Sequence, residues 1–475
     1  MKNILESFKT QQVKYGGYAT LITIAVIAGI ILLNLLAGQF PLQLDLTQDK
    51  LFSLSEQTIQ FLETIKTPVK FYGLWQPGEE DKNLTDVINL YLAANKNISF
   101  ELIDPDRNPG FMVRYDRERA GIFRGSLIVE GEKAFRIITP LEMYDVSYSQ
   151  SGSSTVTGMA IEHRITSALL YTATGEKAVV YELTGHSEIP LSDVEMLDSI
   201  ERENFTLKSL NLLLTAIPRD ASVIIMNSPS RDFTIEEAEK ILDYLEQGGS
   251  FMILADYNTR ELFYINEVLA SYALKFDYGI VHETDPYYVA IDPRSEWPDL
   301  SDHEITKPMA DKRKTPVVLL EAMALSVLDA KRSTIQISLL MTSSASSFLR
   351  TNLDANSDTK LPADIPGPLA LGAALIDPSW VEGSGPQTRI VAIGAGSLLP
   401  LAAQGFDANR DLFLNSLNWL GNRTETISIR SKNLMLLPIR ITPVQLLLFG
   451  CLFVLIIPMS FFIIGLITWL KRRHL

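Results

Sequence analysis

Apolar positions fall into two regimes along this chain. Two long uninterrupted runs lie near the ends. Between them, short apolar stretches alternate with amphipathic segments. The first run covers residues 18–37. At about 1.5 Å per residue, roughly 20 helical residues cross the ~30 Å hydrocarbon core of a bilayer. The run is longer than the roughly 7–15 apolar residues of a signal peptide. Leu36-Ala37-Gly38 is followed by Gln39, where a lipoprotein would need a cysteine. The run therefore reads as an uncleaved anchor. The second run, 444–470, ends in Lys471-Arg472-Arg473-His474, carries Trp469 at the interface and contains Pro458. Membrane helices tolerate such a proline, which kinks them.

The alternation between the runs predicts two α/β units. In the first, Ser55 caps a helix reaching about residue 65, with Glu56 near its positive end. A strand at 69–75, a helix at 84–94 and a strand at 98–103 follow. Asp104-Pro105-Asp106 breaks the chain before a charged helix at 114–120. A hairpin of 126–130 and 133–138 turns at Gly131-Glu132. Strand, helix, strand, helix, hairpin is a thioredoxin-like order, here without the Cys-x-x-Cys that redox chemistry needs. Residues 148–158, rich in Ser, Gly and Thr, read as a surface loop approaching a linker. A helix at 161–171 joins the units.

The second unit opens with strand-like runs at 178–184, 221–226 and 250–256, separated by helical segments. This implies βαβ crossovers, a parallel sheet, and ligands at the strand ends that give way to loops. A helix at 261–274 and a strand at 276–281 precede a polar, Pro-bearing loop at 285–314. Further strands are expected at 317–320, 335–341, 369–375 and 389–393, with a polar excursion at 343–364. A helix at 410–420 ends at Gly421 as its C-cap. The expected division is a cytoplasmic start (1–17), membrane helix (18–37), thioredoxin-like domain (38–147), linker and connecting helix (148–176), parallel-sheet domain (177–425), linker (426–443), membrane helix (444–470) and cytoplasmic end (471–475).

Charge orients this layout. Lys2, Lys9 and Lys14 precede the first run and a basic cluster follows the second, whereas 38–46 carries no positive residue. Arg430, Lys432 and Arg440 run against the pattern on the second outer flank. Both termini are expected in the cytoplasm, with a body of roughly 400 residues outside. The net charge of -14 argues against nucleic acid as a partner. Cys451, the one cysteine, lies in the second apolar run. That excludes an intramolecular disulfide, and the body has neither a cysteine nucleophile nor a cysteine zinc site.

No Gly-x4-Gly-Lys-Ser/Thr, Gly-x-Gly-x-x-Gly or Gly-x-Ser-x-Gly pattern occurs. The candidate interaction residues are Gly185, His186 and Glu188 after the first strand of the second unit, Asp256 after its third, and His303 in the polar loop. His186 and Glu188, two apart, share one side of an extended segment. The favoured reading has them close a loop over the sheet edge through hydrogen bonds; the alternative is a metal site completed by His303 or Asp256. Asp256 is expected to cap the next helix. His163 reads as a polar position on the connecting helix, and Asn415 and Trp419 share one helical face. No cofactor is expected.

Leu44-Asp45-Leu46-Thr47-Gln48-Asp49-Lys50-Leu51-Phe52-Ser53-Leu54-Ser55, placed just after an N-terminal span, resembles the opening of GldG-like proteins. Tyr181-Glu182-Leu183-Thr184-Gly185-His186-Ser187-Glu188 is similar to that family's strand followed by Gly-His-x-Glu. So are 238–256, with Gly248-Gly249 before a strand ending in Asp256, and the segments 390–394 and 409–420. The resemblance implies an auxiliary extracytoplasmic subunit of an ABC-type transport system associated with gliding motility. Its central domain would be similar to the class I glutamine-amidotransferase-like fold, without that enzyme's cysteine. Implied partners are a separate ATPase and a multi-span permease, with an envelope component and two copies per complex. The rival expectations are an envelope scaffold without an ATPase, or an envelope hydrolase using His186, Glu188 and Asp256. Gly394-Ala395-Gly396-Ser397 lacks the acidic residue that relatives often carry there, and Asp302-His303-Glu304 replaces a His-Pro, so ligand roles are not carried over for those loops.

Overall fold

The structure is a computed structural model that describes residues 11–39, 52–115, 122–148, 154–175, 177–257, 261–309, 316–329, 331–353, 359–378, 387–422, 432–433 and 443–473. The first unit is built on β1 (Val69–Leu74), β2 (Ile98–Ile103), β3 (Leu127–Glu130) and β4 (Phe135–Ile138), in the order β2-β1-β3-β4. β1 and β2 are parallel, and the other pairs are antiparallel. Helix Glu56–Thr64 is capped by the Ser55 hydroxyl, and Lys82–Ala94 by the Asp81 carboxylate. Both helices bury their apolar stripe, including Leu62, Leu84, Val87 and Tyr91, against Phe71 and Val129 on one face of the sheet. The other face packs Tyr72, Leu74 and Ile128 on Tyr115.

Tyr115 ends a helix, Pro109–Tyr115, that starts earlier than the charged helix expected at 114–120. Pro109 occupies its first position, where the missing N–H costs nothing and the fixed φ suits a helix. Residues 116–121 lie outside the described residues. Part of the loop expected at 148–158 is strand instead: β6 (Ser154–Met159) pairs antiparallel with β5 (Tyr144–Tyr148), while 149–153 lie outside the described residues. Helix Ile161–Thr174 follows directly, and its Ile161, Ile165, Ala168 and Leu169 complete the first core. The segment expected as a linker is thus part of the first unit.

The second unit carries β7 (Ala178–Leu183), β8 (Phe205–Leu210), β9 (Ala221–Asn227), β10 (Ser250–Leu254), β11 (Leu274–Asp277), β12 (Ile280–His282), β13 (Ser295–Glu296), β14 (Asp299–Leu300), β15 (Leu319–Leu320), β16 (Ala324–Val327), β17 (Gln336–Thr342), β18 (Phe348–Arg350), β19 (Ile365–Pro366), β20 (Ala370–Asp377) and β21 (Thr388–Ile393). Its main sheet runs β11-β16-β20-β21-β10-β9-β7-β8, with β17 also pairing β20 and β14 pairing β17. The five strands β8-β7-β9-β10-β21 are parallel and the rest join antiparallel. The sheet expected to be parallel is therefore mixed. In chain order the parallel set reads 2-1-3-4-5, an open doubly wound arrangement that reverses direction between β7 and β9.

Alternate strand residues serve opposite layers. Val223, Ile225, Met252 and Leu254 pack with helices Leu398–Ala403 and Asp407–Leu420. Ile224, Met226, Phe251 and Ile253 pack with Ile235–Glu246 and Phe263–Ala270. β8 is an edge strand, whose outer Lys208 and Ser209 hide its periodicity in the sequence. The strand expected at 276–281 breaks into β11 and β12 at Gly279, whose φ is 150° and where a Cβ would lie 2.5 Å from the Arg350 carbonyl oxygen, leaving no room for a side chain. The excursion expected at 343–364 contains β18 and a buried Arg350–Asp364 ion pair at 2.8 Å.

The chain returns to the first unit at its end. β22 (Lys432–Asn433) adds to β6, with Lys432 opposite Met159. Among the described residues one helix is long and apolar enough to cross a membrane, Leu447–Leu470, of mean hydropathy 2.8. A π-helical turn, Cys451–Ile456, directly precedes the segment containing Pro458. The helix Gln11–Gln39 holds a shorter apolar segment, Thr20–Leu32.

Candidate functional site

The C-terminal ends of the parallel strands carry the candidate site. After β7 the chain turns through Gly185 (φ 122°) and Ser187 (φ 58°), which aims His186 inward. His186 is buried against the edge of Phe233. Its Nδ1 lies 2.9 Å from Glu188 Oε1, and its Nε2 lies 3.1 Å from Glu237 Oε2. Glu188 Oε2 also accepts the His186 backbone N–H at 2.7 Å. Glu237 has a second task. With Thr234 it forms a reciprocal capping box that starts helix Ile235–Glu246. Burial disfavours the imidazolium, but the hydrogen bonds and charges of Glu188 and Glu237 outweigh it and raise the His186 pKa. Burial likewise pushes both carboxyls up, and their donors pull them below the usual value.

The loops after β7 and β9 are laced together at this reversal point. The His186 carbonyl accepts the backbone N–H groups of Ser230 and Arg231, both at 3.0 Å. Asn227 accepts the Ile189 N–H at 3.0 Å, and its side chain donates to the Ile189 carbonyl at 2.8 Å. His186 and Glu188 therefore close a loop, and the third member of their cluster is Glu237. The capping-box spacing of Thr234 and Glu237 was the available signal for it. Among the described residues no group of three His, Cys, Asp or Glu is placed to hold a metal ion.

Asp256 does not cap the next helix. Its Oδ1 accepts the Gly396 N–H at 2.7 Å, tying the end of β10 to the turn after β21. The approach is so close that a Cβ on Gly396 would lie 1.9 Å from Ser228 Oγ and 2.4 Å from Asp256 Oδ2. Asp232 performs the expected capping, accepting from Tyr264 and Ile265 at 2.8 and 3.0 Å. His303 sits on the opposite layer, edge-on to Trp419, with Nδ1 accepting the Ile305 N–H at 3.2 Å. Burial lowers its pKa. The sheet separates it from His186.

Beside the laced loops lies an open cleft of about 460 Å³. Its floor is Asp256, Gly396 and Ser397; Ile189, Tyr257 and Pro400 flank it; Asp292, Arg294, Leu320 and Glu321 form the far wall. Arg294 pairs with Glu321 at 3.1 Å. Ser397 Oγ donates to the Leu320 carbonyl at 3.1 Å and accepts its N–H at 3.0 Å. Ser228 and Glu321, on either side, hold left-handed backbone at φ 53° and 49°. The far wall comes from β13, β15 and their loops, short strands without helix-period or strand-period signal; of the lining the sequence singles out Asp256 as a candidate residue and marks the 285–314 loop and the Gly394–Ser397 turn without assigning them a ligand.

At the other end of the sheet the connecting helix meets the second unit. Glu203 accepts from His163 at 2.7 Å, Arg164 at 3.2 Å and Asn418 at 3.1 Å. Asn204 donates to the Ser167 carbonyl at 2.9 Å and to its hydroxyl at 2.7 Å. His163, expected on a polar helix face, is an element of this junction.

Residues 48–142, the first unit up to its second hairpin, match the model of a domain of unknown function, DUF7088. No curated protein sequence matches the chain. Among solved structures the chain is similar to the mmIFT52 N-terminal domain (16% identity, 51% of this chain and 96% of that one, TM-score 0.36). It is also similar to a ThuA-like protein from Parabacteroides merdae (12% identity, 56% and 94%, TM-score 0.28). A third is the exo-beta-1,4-mannosidase Op5Man5 from Opitutaceae bacterium strain TAV5 (10% identity, 71% and 47%, TM-score 0.25). All three lie below the similarity at which a shared fold follows.

Proposed function

We propose that the chain is a membrane-tethered, non-catalytic accessory subunit of an ABC-type transport system, holding cargo or an envelope component outside the membrane. The observation that carries this reading is the convergence of the two tethers. Near its entry to the body the chain docks by the Ser55 N–H donating to Glu162 at 2.6 Å; on leaving, Lys432 pairs with Met159. Glu162 lies in the first turn of the connecting helix and Met159 directly precedes its N-cap, so the chain enters and leaves the body at neighbouring points, as two spans contacting one permease require. In this reading 18–37 and 444–470 both span, both termini are cytoplasmic, and the body lies on the far side.

The order β2-β1-β3-β4 supports a thioredoxin-like first domain, and the 2-1-3-4-5 parallel set supports a second domain of the amidotransferase-like kind. The resemblance to GldG-like proteins supplies the ATPase and permease as partners. The enclosure of His186 between two carboxylates favours a structural role over a hydrolytic one, because neither ring nitrogen is left to act as a base toward Asp256.

The test is affinity purification in mild detergent followed by mass spectrometry. An ATPase and a permease in fixed ratio are expected. Recovery of the protein alone, or with envelope enzymes only, would overturn the transporter reading in favour of a scaffold.

A further inference from the structure

We propose that the cleft above β10 and β21 binds a neutral saccharide. Three features lead there. The first is position: the cleft opens at the C-terminal ends of parallel strands, where loops rather than the sheet shape the surface and open α/β sheets take their ligands. Its volume of about 460 Å³ lies within the roughly 300–1,000 Å³ of small-molecule sites.

The second is the sign and state of its charges. Asp256, Asp292 and Glu321 face one arginine, Arg294, which Glu321 already engages. A phosphorylated or carboxylated ligand would meet a net negative lining. Each acid is also held by a donor: Asp256 by the Gly396 N–H, Asp292 by the Arg294 N–H at 2.9 Å, and Glu321 by the Arg294 guanidinium. These donors and the Arg294 charge offset part of what an amine would gain from the acids. A hydroxyl suits the mixture of groups better, because it donates to a carboxylate and accepts from a guanidinium in one place.

The third is the mixture of surfaces. Tyr257, braced by a 2.9 Å hydrogen bond to the Tyr278 hydroxyl, stands with Ile189, Leu320 and Pro400 among the polar groups. A pyranose needs this pairing. Its C–H face packs on apolar or aromatic surface, while its equatorial hydroxyls meet carboxylate and guanidinium groups at the rim. In the reading above, this makes the cargo or envelope component a glycan; the binding itself does not depend on an ATPase partner.

The test uses the full chain in detergent micelles with maltotetraose, cellotetraose, chitotetraose and mannotetraose as probes, followed by saturation-transfer NMR and calorimetry. At least one should bind. Asp292→Ala and Arg294→Ala, both on exposed rim residues, should each weaken it at least tenfold while leaving thermal unfolding unchanged. Tyr257→Ala should also weaken it, at some cost in stability because the ring packs on the core, with Tyr257→Phe retaining most of the affinity. Binding of none of the four, binding indifferent to the rim variants, or tighter binding of spermidine or glucose 6-phosphate would each overturn the assignment. Loss of ATPase and permease from the purification with saccharide binding intact would sink the transporter reading alone.

Discussion

Glu203 and Glu296 are both buried acids of the second unit, and burial pushes both carboxyls up. At the junction, the charge and hydrogen bond of His163, with Arg164 and Asn418 behind them, overcome that push and hold Glu203 at about 2. Behind the cleft wall, neither oxygen of Glu296 has a hydrogen-bond partner among the described residues. There burial dominates, the charge of Glu283 adds to it, and the carboxyl rises to about 8. The side that joins the two units is electrostatically matched. The side that carries the cleft rests, through the separate β13–β15 pair, on an acid kept neutral two residues from Arg294.

The largest effect is expected from Glu203→Ala, which strands His163 and Arg164 beside buried surface and should cost about 3–5 kcal/mol in denaturant unfolding. A loss under about 1 kcal/mol would mean that the apolar contacts of the connecting helix alone close the junction. The pH sign follows from the lowered value. The contribution of Glu203 is complete above about 4.5 and disappears as pH falls toward about 2.

His186→Ala comes next. It leaves Glu188 and Glu237 facing each other without their shared donor and should cost about 2–3 kcal/mol, within the range for unpaired buried groups. Because the folded pKa of His186 is raised, its contribution is complete below about 6.5 and is lost as pH rises through the raised value. Hydrogen exchange of the 185–189 and 227–235 amides, corrected for intrinsic rates, would register the loosening.

The effect of opposite sign is Glu296→Leu. Replacing an unpartnered buried carboxyl with an apolar group should stabilise the fold at pH 7. In the parent the folded protein binds the Glu296 proton more tightly than the unfolded chain. Stability should therefore fall between about pH 4.5 and about pH 8, and the variant should remove that slope. The comparison thus predicts a junction that weakens in acid and a cleft wall that weakens in base. Equal responses at both edges would break it.

What could be read in advance follows from where the information lies. β7, β9, β10 and β21 announce themselves as apolar runs bounded by polar turns, because strands buried on both faces need apolar residues at every position. The capping box at Thr234 and Glu237 is likewise local. Edge strands and bonds between distant residues are not. β8 is half polar, Glu203 meets Asn418 across 215 positions, and Glu237 meets His186 across 51. The cleft wall depends on β13 and β15, two residues each, too short for any periodicity. The motif at Gly185-His186-Ser187-Glu188 marked the right loop without naming the partner that fixes it.

The pairing of β22 with β6 also bears on how the chain is made. The hairpin of β5 and β6 is synthesised early, but its third strand emerges only after the entire second unit. At about 5–20 residues per second on the ribosome, that is a wait on the order of tens of seconds. The first unit to leave the ribosome is therefore the last to be completed. A ribosome stalled before Lys432 would hold a nascent chain whose second unit can already fold while the sheet at its neck still has an open edge.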